Sequence, residues 1–387
     1  MVKLKEFWID KDECTGCGMC ANVCPTNAIN IIEDEVGFYY PIVSKKCIDC
    51  NKCEKACLKR IELKRENSFS PTVYAAWSNN QELRFSSTSG GIFSELAKTV
   101  IGEGGYVVGA EYDENNVVRH ILISEQKQLY KLKQSKYVQS FSGEIYTCVK
   151  NVLEKDKPVL FCGTPCQISA LNAFLGHNYP NLYTVDFICK GVNSPKAFRA
   201  WLEELEDKQN AKVLRVWFKY KEDGWKKSPK CTRIDFDDNS NVVLKQDDNL
   251  FMYGYLNFNL FIRPSCGQCQ FKKEKMCSDI TLADYWGIEK KFDDDKGTSL
   301  VAINTPKGVA LFDKVKSHIT YHLQSNNNAF LHNPSYLQSV TISPKSEKFL
   351  LSLSKNRFSK SLKRYTSSKG PLELMRRIKR KLKQKAI

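Results

Sequence analysis

The sequence contains no run of about 18 consecutive apolar residues, the length that a helix needs to cross a membrane. Its opening residues also lack the apolar stretch of a signal peptide, so we expect a cytoplasmic protein. Histidine is scarce: the chain has five, and none has the spacing of a metal site or a catalytic triad. The overall composition is 42% hydrophobic and 26% charged over 387 residues, which is typical of a globular protein of two or three domains.

The net charge of +16 is distributed unevenly along the chain. Residues 355–387 hold 13 lysines and arginines against one acid, Glu373, so twelve of the sixteen net charges lie there. A nucleic-acid-binding protein carries its basic residues on the folded domain, and we therefore expect no nucleic-acid partner.

The basic C-terminal tail, which we delimit as residues 346–387, ends in a predicted helix. Leu374, Ile378 and Leu382 are spaced four residues apart among lysines and arginines, a pattern that predicts a basic amphipathic helix. Three interpretations stay open: peripheral contact with the anionic inner face of the membrane, contact with an acidic electron-transfer partner, or a solvated tail.

Cysteine is abundant, and in a chain expected inside the cell its count of sixteen indicates metal rather than disulfides. Residues 1–60 hold two runs with the spacing C-x2-C-x2-C-x3-C, which is typical of ferredoxins with two [4Fe–4S] clusters. Structural zinc usually shows two separated pairs of ligands and fits these runs less well. The fourth cysteine of each run reaches the other cluster. The predicted ligands are Cys14, Cys17, Cys20 and Cys57 for one cluster and Cys24, Cys47, Cys50 and Cys53 for the other.

The rest of the sequence divides into a linker, a large domain and the tail. Residues 61–71 are polar and end at Pro71, which predicts a linker. Strands predicted at 72–78, 104–113, 116–124, 158–164, 181–189 and 279–287 alternate with helices and loops, a pattern that predicts an α/β domain over 72–345. The predicted fold class is an α+β ferredoxin-like domain at 1–60 fused to this α/β domain, with a basic helical tail.

Four further cysteines suggest a third cluster in the body. Cys189 ends a predicted strand beside Gly191, where α/β proteins place ligand groups, and Cys266, Cys269 and Cys277 follow closely along the chain. Four soft thiolates could hold another [4Fe–4S] cluster, but cysteines scattered in a core would give the same count. Spacing alone leaves both interpretations open.

Six segments of the body together resemble one known family. They are STSGGIF (87–93), SKYVQS (135–140), FCGTPCQISAL (161–171), DFICKGVNSP (186–195), CGQCQFKKEKMCSDITLADYWG (266–287) and GTSLVAINTPKG (297–308). In this order they resemble the coenzyme F420 hydrogenase/dehydrogenase beta-subunit family, over about residues 72–310. Fusion to an N-terminal ferredoxin also occurs in that family.

The resemblance implies an α/β domain that binds FAD beside a [4Fe–4S] cluster, and it favours Cys189, Cys266, Cys269 and Cys277 as that cluster's ligands. It also implies that the loop at 89–91, which starts a helix, offers N–H groups to the pyrophosphate, although an ordinary helix cap has the same sequence. We treat Cys166 as lining the pocket and assign no catalytic residue. The implied flavin contacts are Ser89, Gly90, Gly91, Lys136, Tyr137, Gly163, Thr164, Pro165, Cys166, Asp284, Gly287, Thr298 and Ser299.

Two hypotheses for the function follow. The first is an iron–sulfur flavoprotein oxidoreductase that passes electrons between [4Fe–4S] clusters and FAD, to or from an F420-like deazaflavin or another metabolite. The second is an electron-transfer adapter subunit that docks on a larger redox complex and has no substrate of its own. A pocket over the flavin would favour the enzyme, and a flat patch closing that face would favour the adapter. The motifs persist through the flavin region, so we favour the enzyme.

Overall fold

The computed structural model describes residues 9–61 and 70–367. Most of the predicted linker at 61–71 lies outside the described residues. So do the last twenty residues of the predicted tail, including its amphipathic helix at 371–387. None of the helices in the described part of the chain is long and apolar enough to cross a membrane.

Residues 9–61 form a small α+β unit, as the sequence predicts. An antiparallel hairpin joins β1 (Ile29–Glu33) to β2 (Tyr39–Val43). Two one-turn helices, α1 (Met19–Asn22) and α2 (Lys52–Lys55), occupy equivalent places in the two cysteine runs. The two runs therefore adopt similar local structures on either side of the hairpin.

The remaining described chain alternates strands and helices. The strands are β3 (Thr72–Ser78), β4 (Tyr106–Tyr112), β5 (Val118–Ile123), β6 (Val159–Cys162), β7 (Leu182–Phe187), β8 (Val213–Phe218), β9 (Cys231–Phe236), β10 (Asn241–Lys245), β11 (Ile280–Asp284), β12 (Ser299–Ile303) and β13 (Ile319–Gln324). The helices are α3 (Gln81–Phe85), α4 (Ile92–Gly102), α5 (Ile145–Leu153), α6 (Pro165–Leu175), α7 (Pro195–Gln209), α8 (Leu250–Phe258), α9 (Pro306–Val315), α10 (Asn326–Ala329), α11 (Pro334–Leu337), α12 (Ser346–Ser352) and α13 (Phe358–Thr366).

Eight strands form one mixed sheet in the order β13-β3-β12-β11-β7-β6-β4-β5. The four central strands β11, β7, β6 and β4 are parallel, and the strands on both sides pair antiparallel. Parallel strands covered on both faces are apolar, and Val107, Leu160, Val185 and Ile280 are accordingly buried. The carboxyl ends of these four strands meet along one edge of the sheet.

Strands β8, β9 and β10 form a separate antiparallel sheet inserted between α7 and α8. The first two strands coincide with two segments rich in β-forming residues, VLRVWFKYK and TRIDFDD. The third was not predicted, because its residues are all partly or fully exposed and show no apolar alternation.

The described part of the predicted tail packs against the body. Helices α12 and α13 bury Phe349, Leu350, Phe358 and Leu362 in a cluster with residues of α7, α8 and the inserted sheet. The packed body therefore extends to residue 366, beyond the predicted boundary at 345.

The ferredoxin-like unit shares its apolar core with the body. Phe38 and Tyr40 belong to the same buried cluster as α7 and the inserted sheet, while Met19 and Leu58 join the cluster around α5 and α6. Burial of large side chains on both sides fixes the position of the unit relative to the cavity described below.

Candidate functional site

A cavity of about 500 Å³ lies at the carboxyl ends of the parallel strands, the edge where open α/β sheets bind ligands. Its volume is in the range of small-molecule and cofactor sites. Ten of the thirteen residues predicted to contact a flavin line it: Ser89, Gly91, Lys136, Tyr137, Gly163, Thr164, Pro165, Cys166, Asp284 and Ser299. They come from separate segments of the chain, so only the fold brings them together.

Gly90, Gly287 and Thr298 do not line the cavity. The N–H of Gly90 donates to Oγ of Ser299 at 3.0 Å, and a Cβ at Gly90 would lie 2.4 Å from a carbonyl oxygen of β3. The carbonyl of Thr298 accepts a hydrogen bond from Oγ of Ser89 at 2.8 Å. Gly90 and Thr298 therefore fix the loop at 89–91 against the sheet, directly before α4 begins at Ile92.

Buried cations support this loop from the side away from the cavity. Lys221, just after β8, donates from Nζ to the carbonyl oxygens of Ser89 at 2.9 Å, Lys296 at 3.0 Å and Arg84. Arg84 forms two hydrogen bonds of 2.7 Å with Asp294. Burial, helped by Arg84, lowers the pKa of Lys221 to about 7. Positive charge next to a helix N-terminus suits an anionic group.

A second buried lysine pairs with a predicted site residue. Lys219 is 1% exposed and forms an ion pair with Asp284. Its Nζ lies over the stacked rings of Trp225 and Trp286, 5.8 and 5.2 Å from their centroids. Oδ1 of Asp284 is buried with no hydrogen-bond partner in the described part of the chain.

The cavity wall at 136–137 is held by the backbone and by aromatic rings. Nζ of Lys136 donates to the carbonyl oxygens of Lys131 and Lys133 at 2.8 and 2.7 Å, and burial lowers the pKa of Lys136 to about 7. The ring of Tyr137 packs against Phe218 of the inserted sheet.

The turn at 163–166 places a thiol at the end of a parallel strand. Thr164 and Gln167 form a capping box, and Pro165 occupies the first position of α6, where its missing N–H costs nothing. Sγ of Cys166 lies 3.1 Å from Oγ1 of Thr164. These caps fix the start of α6 and with it the position of Cys166.

Cys166 lies in a group with Cys189, Cys266 and Cys269. Burial raises the pKa of Cys166, and the other three thiols raise it further. Burial, with Cys266 and Cys269 contributing, raises the pKa of Cys189 to about 12. Buried thiols that oppose one another's ionisation need positive charge to become thiolates together, and an iron–sulfur cluster supplies it. The donor set therefore fits a cluster.

Cys277 has different neighbours. Its Sγ lies 3.2 Å from Oγ of Ser169 and 3.6 Å from Nδ2 of Asn172. Burial raises its pKa to about 11, and the nearby carboxylate of Asp186 adds to the effect. The four thiols of the preceding group line the cavity, whereas Cys277 does not.

The cysteines of the first ferredoxin group influence one another's ionisation. Burial raises the pKa of Cys20, and Cys17, Cys14, Cys57 and Cys53 raise it further. Burial raises the pKa of Cys57 to about 12, with Cys17 and Cys14 contributing. The spacing predicts one cluster on Cys14, Cys17, Cys20 and Cys57.

This first group faces the body of the protein. The carbonyl of Cys14 accepts a hydrogen bond from Nε of Arg263 at 2.8 Å. The carbonyl of Cys17 accepts hydrogen bonds from the hydroxyls of Tyr146 and Ser142 at 2.8 and 2.9 Å. Cys17 also lines the cavity, so the ferredoxin-like unit forms part of its wall.

The second group lies on the outside of the unit. Cys50 is exposed, and Cys24, Cys47 and Cys53 are partly buried. The N–H of Ala28 donates to Sγ of Cys24 at 3.2 Å, a contact that tunes the potential when the thiolate binds a cluster.

Within residues 9–61 and 70–367, no three histidine, cysteine, aspartate or glutamate side chains lie close enough together to hold one metal ion. A [4Fe–4S] cluster binds its four thiolates to four different irons, so wider groups of cysteines suit it. Of the three remaining cysteines, Cys231 is buried, Cys162 lines the cavity and Cys148 is exposed.

Two buried titratable residues of the cavity wall were missed by the sequence reasoning. Burial lowers the pKa of His120 to about 4, and its Nε2 has no hydrogen-bond partner among the described residues. Burial raises the pKa of Asp186 to about 7, while its Oδ1 accepts a hydrogen bond from Thr281 at 2.7 Å. The sequence signal for Asp186 was an acidic residue within the otherwise apolar strand before Cys189.

Comparison with known families agrees with this geometry. Residues 156–328 match the model for the C-terminal region of the coenzyme F420 hydrogenase/dehydrogenase beta subunit, and residues 7–30 match a 4Fe–4S binding domain. Over residues 156–328 the chain belongs to the coenzyme F420 hydrogenase/dehydrogenase beta-subunit family. A ferredoxin-type domain precedes this region at the N-terminus, as the sequence predicts.

Individual relatives match mainly this N-terminal domain. An uncharacterized ferredoxin of Methanocaldococcus jannaschii is 36% identical over 52 residues, which are 13% of this chain and 68% of that protein. An iron–sulfur subunit of the CoB–CoM heterodisulfide reductase from the same organism is 34% identical over 70 residues, 14% of this chain and 11% of that relative. In the F420-reducing [NiFe] hydrogenase complex of Methanosarcina barkeri, one chain aligns with a TM-score of 0.47 at 16% identity, covering 78% of this chain and 93% of that chain.

Proposed function

We propose that this family member is an iron–sulfur flavoprotein oxidoreductase that transfers electrons between [4Fe–4S] clusters and FAD, to or from a small acceptor. One observation carries the proposal: residues of the predicted flavin set, four thiols and Cys17 of the ferredoxin-like unit all line the same cavity. Bound clusters would supply one-electron carriers, and a bound flavin would exchange single electrons with them and electron pairs with a substrate.

The chain's own residues would bind and orient the flavin. The loop at 89–91 and the N-terminus of α4 would donate backbone N–H groups to the pyrophosphate. Lys221 would keep this loop in place through its hydrogen bond to the carbonyl of Ser89. The helix cap at Thr164 would hold the turn at 163–166 against the same ligand.

Three thiols, Cys189, Cys266 and Cys269, are proposed ligands of a third cluster, as the family resemblance implies. For the fourth ligand we propose Cys166 rather than Cys277. These three thiols raise the pKa of Cys166, and all four line the same cavity, which supports this choice.

The proposal is tested by anaerobic reconstitution, followed by iron, sulfide and flavin analysis of one sample. About twelve irons per chain together with one FAD are expected for three clusters and a flavin. About eight irons without flavin would reduce the protein to a ferredoxin fused to an unexplained domain, and the enzyme proposal would fall.

A second candidate function is an adapter subunit without its own substrate. The heterodisulfide reductase relative is by name an iron–sulfur subunit, and it matches the ferredoxin-type region. We favour the enzyme because the predicted flavin contacts line a cavity and not a flat face. Reduction of bound FAD by a reduced deazaflavin or another small hydride donor, with no added protein, would decide for the enzyme.

A further inference from the structure

The ferredoxin-like unit presents its two cysteine groups to different surroundings. The backbone of the first group is covered by Arg263 and Tyr146 of the body. The second group lies at the surface: Cys50 is exposed, and Ile48, next to Cys47, is 62% exposed. A protein that approaches this unit from solvent therefore meets the second group.

Charge distinguishes the two parts of the unit. Residues 9–43 contain six acids and one lysine, whereas residues 44–61 contain six lysines and arginines and two acids, so their net charges are −5 and +4. Lys45, Lys46, Lys52 and Lys55 are all exposed. They surround the segment that carries Ile48 and Cys50, so the surface near the second group is positively charged.

We propose that this outer face, consisting of Lys45, Lys46, Ile48, Cys50, Lys52 and Lys55, is the docking surface for a small acidic electron-carrier protein. This docking proposal depends on the proposed function in one respect only: it takes the second cysteine group as the site of an iron–sulfur cluster. In each encounter one electron passes between the carrier and this chain, so that one is oxidised and the other reduced by one electron, and no bond forms or breaks.

The arrangement fits a brief protein–protein contact. An apolar residue inside a charged rim is the usual anatomy of an interface, and complementary charge raises the association rate. Complexes of electron-transfer proteins are small and weak, so one exposed isoleucine and a few lysines are sufficient. A small-molecule acceptor would instead enter the cavity at the edge of the large sheet.

Binding to a defined acidic probe tests the proposal. The probe is an acidic bacterial ferredoxin with two [4Fe–4S] clusters, immobilised for surface plasmon resonance under anaerobic conditions, with the full reconstituted chain in solution. We expect Lys46→Glu/Lys55→Glu to raise the dissociation constant about tenfold or more at low ionic strength. The difference should nearly vanish in about 1 M salt, where the Debye length is about 3 Å.

The matched control is Lys155→Glu/Lys157→Glu, which reverses two exposed lysines after α5. Its dissociation constant should remain close to that of the unmodified chain, and both variants should keep their iron. Failure of the unmodified chain to bind the probe, or equal weakening by both variants, would overturn the proposal. Reduction by methyl viologen radical separates the two proposals: clusters that reduce while no flavin responds would refute the oxidoreductase and leave the docking result standing.

Discussion

Four thiols meet at the cavity although they are far apart in the sequence, at 166, 189, 266 and 269. Sequence spacing suggested the last three, because they lie in a C-x2-C pair and at a strand end. The family resemblance gave the fourth place to Cys277, which follows the pair closely along the chain. Our proposal of Cys166 instead comes from the cavity wall that the turn before α6 shares with the other three thiols, and such a relation across about 100 residues leaves no trace in spacing.

Serine substitutions distinguish Cys166 from Cys277. We expect Cys166→Ser to lower bound iron by about four atoms per chain, since a cluster needs its four thiolates. Cys277→Ser is the matched control and should keep its iron, because Cys277 contacts Ser169 and Asn172 instead. Iron and sulfide assays after anaerobic reconstitution measure both variants. The reverse result would restore Cys277 as the ligand.

Other residues of the site differ in how far the sequence revealed them. The loop at 89–91 and the turn at 163–166 combine glycine, small residues and a helix start, a pattern that identifies them without a structure. Lys219 and Lys221 were not predicted, because they follow the first strand of an inserted sheet whose position beside the loop depends on the whole fold. A lysine in a polar segment otherwise indicates a solvated side chain.

At the scale of elements, the strands were predicted more completely than their arrangement. Apolar runs followed by glycine or proline identified β6, β7 and β11, since parallel strands buried on both faces are continuously apolar. Their order was not predictable, because neighbours such as β7 and β11 are separated by almost 100 residues. The packing of α12 and α13 was missed because the excess of basic residues over 355–387 set this whole segment apart as a tail.

One polar cluster ties several elements together at the opposite end of the sheet from the cavity. Asp279, directly before β11, accepts hydrogen bonds through Oδ2 from N and Oγ1 of Thr184 on β7, at 2.8 and 2.7 Å. Oγ1 of Thr305 donates to Oδ1 of Asp279 and accepts from the N–H of Gly308 at 3.1 Å, which caps α9. This threonine therefore stabilises both the helix and the junction of two strands.

Removing this cap should destabilise the protein measurably. We expect Thr305→Ala to lower the free energy of unfolding by about 1–3 kcal/mol, from the lost N-cap and the weakened contact of a buried carboxylate. Thr99→Ala is the control, because Oγ1 of Thr99 only bonds back to the carbonyl of Glu95 within α4. Alanine favours a helix interior, so this variant should be neutral within about 0.5 kcal/mol. Urea unfolding followed by far-ultraviolet circular dichroism measures both; equal losses would contradict the role of the cap.

At the scale of the whole molecule, the ferredoxin-like unit and the body form one structure around a buried guanidinium. Nε, Nη1 and Nη2 of Arg263 donate to the carbonyl of Cys14, to Oε1 of Gln139 and to the carbonyl of Tyr39, at 2.8, 2.9 and 3.1 Å. The sequence predicted two domains joined by a linker and gave no indication of this interface. Its contacts join residues more than 100 positions apart, and a buried arginine looks like any surface arginine in a sequence.

Gly16 lies where this interface leaves no room for a side chain. It has a φ of +68°, and a Cβ there would lie 2.3 Å from Nε2 of Gln139 and 2.9 Å from the guanidinium of Arg263. Gly16→Ala should therefore force the first cysteine loop away from the body and separate two unfolding events. Loss of cluster absorbance should then precede loss of far-ultraviolet ellipticity in urea, whereas in the unmodified chain the two transitions should coincide.

The control is Gly104→Ala. Gly104 has a φ of +75° and no atom within 4 Å of an added Cβ, so this substitution costs only backbone strain of about 1–2 kcal/mol. If that control also separates the transitions, or if Gly16→Ala leaves them coincident, the two units do not depend on this contact for their common stability.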